Sequence, residues 1–206
     1  SPHTRDAEGY SVPLTKAQVR AAILAARAAS TPHQRAIEAA ALTGHLLAWV
    51  TPGSTVCAYV PVGTEPGSVQ LLDAWTDRGV RVLLPVARQD DDGVPQPLQW
   101  GAYRAGTLAR AAFGLREPAP PHLPAEAVGE ASVVLVPALA VDRRGTRLGR
   151  GAGFYDRTLQ WASATAPLVA VVRDDELVEE LPNDRHDVRM THAATPGLGV
   201  VDLRRE

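Results

Sequence analysis

The stretch Val133–Thr158, which reads VVLVPALAVDRRGTRLGRGAGFYDRT, decides the fold. It opens on an almost unbroken apolar run, Val133–Val141, which is typical of a strand buried on both faces of a sheet. A turn at Asp142–Gly145 follows. The next segment carries glycines at alternate positions, namely Gly149, Gly151 and Gly153. Residues 157–161 then have helical character, so the pattern predicts a buried strand that leads through a glycine loop into a helix.

The glycine loop is suited to binding an anion. Glycines let the backbone come close to a ligand, and the free N–H groups and dipole at a helix start attract phosphates. Arg147 and Arg150 lie among the glycines and add bidentate donors for phosphate oxygens. The pattern matches neither the dinucleotide-binding fingerprint nor the P-loop, so an irregular loop with solvated arginines is the alternative.

The longer string Val136–Arg157, VPALAVDRRGTRLGRGAGFYDR, resembles the signature of the 5-formyltetrahydrofolate cyclo-ligase family, also called 5,10-methenyltetrahydrofolate synthetases. In that family an apolar strand, a proline and a turn glycine precede Arg-Leu-Gly-x-Gly-x-Gly-Tyr-Tyr-Asp. Weaker similarity extends from Lys16 to Thr195 and includes a Leu-Pro and a His-Asp pair at 181–182 and 186–187. The resemblance implies a Rossmann-like fold and the ATP-dependent cyclisation of 5-formyltetrahydrofolate to 5,10-methenyltetrahydrofolate, with release of ADP and phosphate.

Length, charge and cysteine content restrict the class of protein. A chain of 206 residues can form one α/β domain with a sizeable core, and its net charge of −2 gives no strong field toward nucleic acid or membrane. No apolar run is long enough to span a bilayer, and no signal peptide is visible. Cys57 is the only cysteine, which excludes a disulfide framework. We therefore expect a cytoplasmic monomer with a small-molecule substrate and no nucleic-acid or membrane partner.

Strands alternate with helices along the chain, which favours a single Rossmann-like α/β domain with a mostly parallel central sheet flanked by helices. We expect residues 1–14 to be a flexible tail and residues 15–206 to form that domain. The predicted helices run from Thr15 to Ala29, from Thr31 to Trp49, from Ser68 to Arg78 and from Asp174 to Leu181. The predicted strands cover Thr55–Val60, Val80–Val86, Pro97–Tyr103, Val133–Val141, Pro167–Val172, Met190–Thr195 and Leu198–Leu203.

Lys16 and Arg20 lie four residues apart on one face of the first predicted helix, with Arg27 two turns further. Like charges at this spacing repel by a few tenths of a kcal/mol, so a solvated face is the simplest interpretation. A bound polyphosphate would remove the repulsion, and the family has a similar Lys-x-x-x-Arg associated with ATP. The resemblance thus implies an ATP site formed by Lys16, Arg20, Arg147, Leu148, Gly149, Arg150, Gly151, Ala152, Gly153, Phe154 and Tyr155.

The resemblance also assigns residues to the folate and to a metal. Glu65 lies in a loop after a predicted strand, where open α/β sheets bind ligands, although a solvated loop acid is the alternative. Asp156 is the predicted Mg²⁺ ligand because a hard cation prefers carboxylate and phosphate oxygens, and its alternative role is in the first helical turn. The implied folate contacts are Val60, Glu65, Arg150, Gly151, Gly153 and Phe154, and the implied catalytic residues are Arg150 and Tyr155.

Two departures from the family pattern leave alternatives open. Phe154 stands where the family usually has a tyrosine. Thr191 replaces a second metal-associated aspartate, so either the Mg²⁺ site is altered or Asp187 serves in its place. The chain is therefore a 5-formyltetrahydrofolate cyclo-ligase, a paralogue with the same ATP loop and a different substrate, or a non-catalytic nucleotide-binding module.

Overall fold

A computed structural model describes residues 3–5, 9 and 11–204. The strands are β1 (His3–Arg5), β2 (Ser11–Pro13), β3 (Thr55–Cys57), β4 (Arg81–Val86), β5 (Gln99–Ala102), β6 (Ala109–Arg110), β7 (Arg116–Glu117), β8 (Val133–Pro137), β9 (Ala140–Asp142), β10 (Arg147–Leu148), β11 (Leu168–Val171), β12 (Leu177–Val178), β13 (His192–Thr195) and β14 (Gly199–Asp202). The α-helices are α1 (Lys16–Ala29), α2 (Pro32–Leu47), α3 (Val69–Asp77) and α4 (Phe154–Thr158). Short 3-10 helices cover Ala112–Gly114, Ala125–Glu130, Leu159–Trp161 and Asp174–Glu176.

A seven-stranded sheet in the order β14-β13-β11-β8-β3-β4-β5 forms the centre of the molecule. Its five inner strands are parallel, and each edge strand is antiparallel to its neighbour. The predicted mixed α/β fold with a mostly parallel sheet is thereby confirmed. If the five parallel strands are numbered by their position in the chain, their spatial order from β4 to β13 is 2-1-3-4-5. The direction of winding therefore reverses between β3 and β8. A crevice for ligands is expected at the carboxyl ends of those two strands.

Alternate residues of the inner strands pack on opposite faces of the sheet, as the pleat requires. Leu135 and Val169 face one core together with Leu46 of α2 and Trp75 of α3. Val134, Val136 and Ala170 face a second core, which α4 and the neighbouring 3-10 helices cover. Because β8 is buried on both faces, its sequence is a continuous apolar run rather than an alternating one.

Local capping sets where the first three α-helices begin. Thr15 and Thr31 each form a capping box with a glutamine three residues later, and Ser68 caps α3 with its hydroxyl. The start and end of α1 are as predicted. Helix α2 ends two residues before the predicted Trp49, and α3 ends at Asp77, before Gly79 adopts a φ of 79°. The helix starts were therefore readable from short-range chemistry alone.

The apolar run Val133–Val141 is two strands, so the prediction of one continuous strand is wrong. The chain leaves the central sheet after Pro137 and then enters β9, which belongs to a smaller sheet in the order β10-β9-β12. At the break, the carbonyl oxygen of Ala138 accepts a hydrogen bond from Arg27. Helix α1 packs on this smaller sheet through a cluster formed by Val19, Ala140, Leu148 and Leu181.

Two further expectations concern chain segments outside the sheet core. The predicted helix 174–181 is wrong, because only Asp174–Glu176 is helical, as a 3-10 turn, and the next two residues form β12, which pairs in parallel with β9. The predicted flexible tail, 1–14, lies partly outside the described residues, and within it β1 pairs antiparallel with β2. Its flexibility remains a prediction. Among the residues that the structure covers, no helix combines the length and apolar character that crossing a bilayer requires.

Candidate functional site

The glycine loop, Gly149–Gly153, begins where β10 ends and lies against α1. Arg20 donates from Nε to the carbonyl oxygen of Gly149 at 2.8 Å. Gly151 has a φ of 105°, and a Cβ added there would lie 3.6 Å from the Arg20 guanidinium. A left-handed backbone at this position favours glycine, so the loop leaves its backbone accessible beside a cation. Arg20, predicted as an ATP contact, thus lies against the glycine loop, and its role toward a nucleotide stays a prediction.

The predicted helical segment 157–161 forms the end of α4 and the 3-10 turn that follows it. Helix α4 begins at Phe154 and spans five residues before a 3-10 turn continues to Trp161. So short a helix contributes little dipole, because the macrodipole grows from aligned peptide units over several turns. The helix-dipole contribution expected from the sequence is therefore minor, and the positive potential at the loop comes from its arginines.

Arg147 lies beneath the glycine loop with its side chain 8% exposed. Its Nη1 donates to the carbonyl oxygen of Pro137 at 2.9 Å, at the carboxyl end of β8. The guanidinium also stands 4.0 Å from a carboxylate oxygen of Asp156 and 5.5 Å from the ring centre of Tyr155. Burial lowers the Arg147 pKa from its ordinary value. Its Nε is buried and has no hydrogen-bond partner among the described residues.

Tyr155 and Glu65 lie close enough for the charge of Glu65 to act on the tyrosine. The Tyr155 hydroxyl is buried and lacks a partner among the residues described, and burial raises its pKa. Burial also raises the pKa of Glu65, while the charge of Arg150 opposes that shift. The Glu65 carboxylate accepts a hydrogen bond from the backbone N–H of Val62 at 3.0 Å. Glu65 is thus a half-buried acid held by its own loop, not the solvated acid of the alternative interpretation.

A buried ion pair lies at the turn after β8, next to the crevice. It was not predicted from the sequence. Arg27 donates from Nε and Nη2 to the two carboxylate oxygens of Glu176 at 2.9 and 2.8 Å. Its Nη2 also donates to the carbonyl oxygen of Ala138 at 2.7 Å. Both side chains are almost fully buried, with exposures of 2% and 6%. The solvated interpretation of the α1 cations is therefore wrong for Arg27, which fixes the turn after β8.

Tyr59 is a second residue that sequence reasoning missed. It follows β3, and its hydroxyl donates to the carbonyl oxygen of Pro66 at 2.7 Å, which closes the loop that carries Glu65. Burial raises the Tyr59 pKa well above its ordinary value, and the charge of Glu65 adds to the shift. A tyrosine directly after a buried strand, at the edge where ligands bind, was the available signal.

Lys16, Val60 and Leu148 are predicted contacts whose side chains point elsewhere. Lys16 forms an exposed ion pair with Asp184 at 2.8 Å. Val60 packs in the main core and Leu148 packs against α1, so either could reach a ligand only through its backbone. The structure brings together the other predicted residues: Arg20, Gly149, Arg150, Gly151, Ala152, Gly153, Phe154, Tyr155, Asp156, Arg147 and Glu65.

Carboxylates suited to a metal flank Arg147. Asp156 is exposed at 42% of its side chain, and Asp187 is close enough to act on the Arg147 pKa. The described residues contain no group of three or more metal-binding side chains, but Mg²⁺ needs only one or two carboxylates beside phosphates. Thr191 lies at the amino end of β13, where its hydroxyl is bonded to the backbone of Leu168. Thr191 is therefore engaged with the backbone, and Asp187 as the second carboxylate stays a prediction.

The loop that carries Glu65 separates two clefts. One has a volume of about 260 Å³ and is lined by Arg35, Glu38, Arg173 and the segment 63–70. The other has a volume of about 420 Å³ and is lined by Pro61, Val62, Gly63, Arg110, Ala111, Gly114, Leu115 and Arg116. The second volume lies within the range of small-molecule sites, and both clefts border the loop at the strand-order reversal.

Comparison with known proteins places this arrangement in one family. The family model of 5-formyltetrahydrofolate cyclo-ligases matches residues 13–196. The chain is 62% identical over 192 residues to the 5-formyltetrahydrofolate cyclo-ligase of Mycolicibacterium smegmatis, covering 93% of this chain and 99% of that one. It is 30% identical over 148 residues to the Escherichia coli K12 protein of the same name, covering 71% and 80%.

Solved structures show the same fold. The 5,10-methenyltetrahydrofolate synthetase of Aquifex aeolicus superposes with a TM-score of 0.74 at 22% identity, covering 94% of this chain and 95% of that one. The synthetase of Mycoplasma pneumoniae gives a TM-score of 0.64 at 18% identity, covering 86% and 96%. On the sequence matches, this chain belongs to the 5-formyltetrahydrofolate cyclo-ligase family.

Proposed function

We propose that this chain catalyses the ATP- and Mg²⁺-dependent cyclisation of 5-formyltetrahydrofolate to 5,10-methenyltetrahydrofolate, with release of ADP and phosphate. The observation that carries the proposal is the convergence of Arg20, Arg147, Tyr155 and Glu65 at the strand-order reversal, in a chain of this family. We further propose that residues 15–206 act as one Rossmann-like domain and work as a monomer.

The chemistry has to turn a poor leaving group into a good one. The formyl oxygen is amide-like, and transfer of the γ-phosphoryl group to it releases ADP and forms a phosphate ester. The neighbouring folate nitrogen then bonds to the formyl carbon and loses its proton, and the carbon–oxygen bond breaks to release phosphate. The other folate nitrogen supplies the electron pair that completes the methenyl cation, so the atoms and charges balance.

Arginines neutralise the phosphate charge in this proposal. Phosphoryl transfer depends mainly on positioning and charge neutralisation, not on a protein nucleophile. Arg20 is anchored on the glycine loop, Arg147 is buried beneath it with one unpaired donor, and Arg150 is exposed within it. Lys16 joins them only if a ligand displaces Asp184 from its ion pair.

Tyr155 and Glu65 act on the folate. Burial keeps the Tyr155 hydroxyl protonated, so it donates a hydrogen bond to the formyl oxygen or to the phosphate that forms there. Glu65 presents a carboxylate to the N–H donors of the pterin ring, and its loop hydrogen bond to Val62 fixes its orientation. Phe154, which is partly buried against the second core, is the further folate contact in this proposal.

Mg²⁺ would be held by Asp156, with Asp187 as the second carboxylate, and would screen the phosphate charge during transfer. Without a metal, the Asp156 carboxylate would repel the phosphates that the arginines attract. Asp156 lies 4.0 Å from the Arg147 guanidinium and Asp187 is close enough to act on its pKa, so these two carboxylates would supply the oxygen ligands that Mg²⁺ prefers.

The direct test measures methenyl formation by absorbance with purified protein, 5-formyltetrahydrofolate and MgATP. Arg147→Ala should lower kcat by about 100- to 1000-fold, the usual effect of removing one donor that stabilises the transition state. Arg144→Ala is the matched control, because Arg144 lies on the same hairpin but is exposed and 3.9 Å from Glu180. Equal rates for the two variants would remove Arg147 from the site.

The same preparation separates the alternatives. A rise in Tm with MgATP but no methenyl product would indicate a non-catalytic nucleotide-binding module. ADP release that depends on a different formyl or carboxylate compound would indicate a paralogue with another substrate. Product formation in EDTA-treated, metal-free ATP would exclude the proposed role of Asp156 in holding Mg²⁺.

A further inference from the structure

Two arginines lie opposite each other in the two-stranded β6-β7 sheet, and no acidic side chain among the described residues pairs with either. Arg110 of β6 and Arg116 of β7 are directly opposite residues in the antiparallel register. Opposite residues project from the same side of a ladder, with their Cβ atoms about 4.5–5.5 Å apart, and like charges there destabilise the pair. Within the described residues, neither guanidinium has a hydrogen bond or ion pair, so an anion from outside would relieve the repulsion.

The nearest acid on the ladder is already committed. Glu117, the neighbour of Arg116 in β7, forms a two-point ion pair with Arg88 at 2.8 and 3.0 Å. Its opposite residue in the register is Ala109, not an arginine. The positive charge of the two arginines is therefore not neutralised by the acid on the same ladder.

Both arginines line the larger cleft beside the folate loop. This cleft of about 420 Å³ has the hairpin residues on one wall and Pro61, Val62 and Gly63 on the other. Val62 is also the residue whose N–H holds the Glu65 carboxylate. A ligand whose one end is held at Glu65 would therefore pass along 61–63 and bring its other end to Arg110 and Arg116.

We propose that Arg110 and Arg116 bind the glutamate carboxylates of the folate substrate. This inference rests on the proposed function, in which Glu65 holds the pterin end. The glutamyl end carries an α- and a γ-carboxylate, which matches two guanidinium groups, each able to bind a carboxylate through two parallel hydrogen bonds. Each further γ-linked glutamate adds one carboxylate, so the subsite selects for anionic tails while leaving the reacting centre unchanged.

The test compares 5-formyltetrahydrofolate with an analogue that lacks the glutamate and ends at the aminobenzoate. Arg110→Gln and Arg116→Gln should each raise KM for the natural substrate about 3- to 10-fold, as expected for a partly exposed charged hydrogen bond. The kcat and the KM for ATP should stay unchanged, and the analogue should bind wild type and variants equally. Arg104→Gln, an exposed arginine before the same hairpin that does not line the cleft, is the control.

Three results would overturn the proposal: an equal loss for the analogue, a rise in the ATP KM in place of the folate KM, or no change in any constant. A rise in the ATP KM would assign the arginines to nucleotide phosphates. Calorimetric binding of both folates, which needs no turnover, separates this proposal from the activity. If the glutamate-containing folate binds more tightly than the analogue but no methenyl product forms, the glutamate subsite is supported and the cyclisation activity is contradicted. If neither folate binds, both proposals are contradicted.

Discussion

Replacing Arg27 with methionine removes the cation of a buried ion pair and keeps much of the side-chain volume. The arginine now donates three hydrogen bonds, two to Glu176 and one to the carbonyl oxygen of Ala138. The variant leaves the Glu176 carboxylate with only the backbone N–H of Arg173, at 2.8 Å, in a buried position. Removing one partner of a buried pair costs about 3–5 kcal/mol, and at about 2–4 °C per kcal/mol the Tm should fall by about 6–20 °C.

Urea denaturation followed by fluorescence gives the free energy of unfolding and its slope in one experiment. Arg144→Met is the matched control, because its guanidinium and Glu180 are 49% and 58% exposed at 3.9 Å. Such a pair contributes about 0–1 kcal/mol, so the control should unfold almost as wild type does. Replacing Arg27 and Glu176 together by apolar residues should recover most of the loss, since no buried charge remains.

A loss below about 1 kcal/mol for Arg27→Met, equal to that of the control, would refute the reasoning. A double variant less stable than the single one would refute it as well. It would show that an uncompensated Glu176 is not what destabilises the single variant.

Three further predictions concern the site. Glu65→Gln should raise the folate KM more than the ATP KM. It should also raise Tm at pH 7, because burial raises the Glu65 pKa and the ionised carboxylate therefore destabilises the fold. This gain in Tm should fade as the pH falls toward 4.5, the ordinary pKa of the group, and a Tm difference that does not change with pH would contradict the prediction. Tyr155→Phe should lower kcat about 10- to 100-fold without loss of stability, since the Tyr155 hydroxyl has no partner among the described residues. Tyr59→Phe removes a hydroxyl that does have a partner, so it should lower the free energy of unfolding by about 1 kcal/mol. A Tyr155→Phe variant less stable than Tyr59→Phe would contradict this prediction. Asp156→Asn should lose most activity at unchanged Tm and regain part of it in excess Mg²⁺, and activity that ignores the metal concentration would contradict a ligand role.

Features that depend on neighbouring residues were predictable from the sequence. The capping boxes at Thr15 and Thr31 require only residues three apart, and the apolar run of β8 reports burial on both faces. The glycine loop and its arginines were also recognisable as a candidate anion site, because the glycines and the arginines are neighbours in the sequence. In each case the physical cause lies within a few residues, so the pattern alone was sufficient.

Features that depend on distant residues were missed or misread. Nothing near Arg27 in the sequence indicates that Glu176 will neutralise it, so a solvated face was the reasonable interpretation. The strand break at Ala138 has the same origin, because the arginine that donates a hydrogen bond to the Ala138 carbonyl oxygen comes from α1. The segment 174–181 resembled an acidic helix, but β9 offers Leu177 and Val178 a pairing edge that local propensity cannot show.

The side-chain contacts of α1 have a consequence for synthesis on the ribosome. Lys16, Arg20 and Arg27 contact residues 168, 129 and 149 positions later in the chain. At about 5–20 residues per second, the helix emerges on the order of ten seconds before its partners exist. A single helix of 14 residues is marginal in water, so it waits largely unfolded. The nascent chain can complete the parallel part of its central sheet only after β13 emerges. Arg20, which anchors the glycine loop, is therefore translated early but forms its contact late.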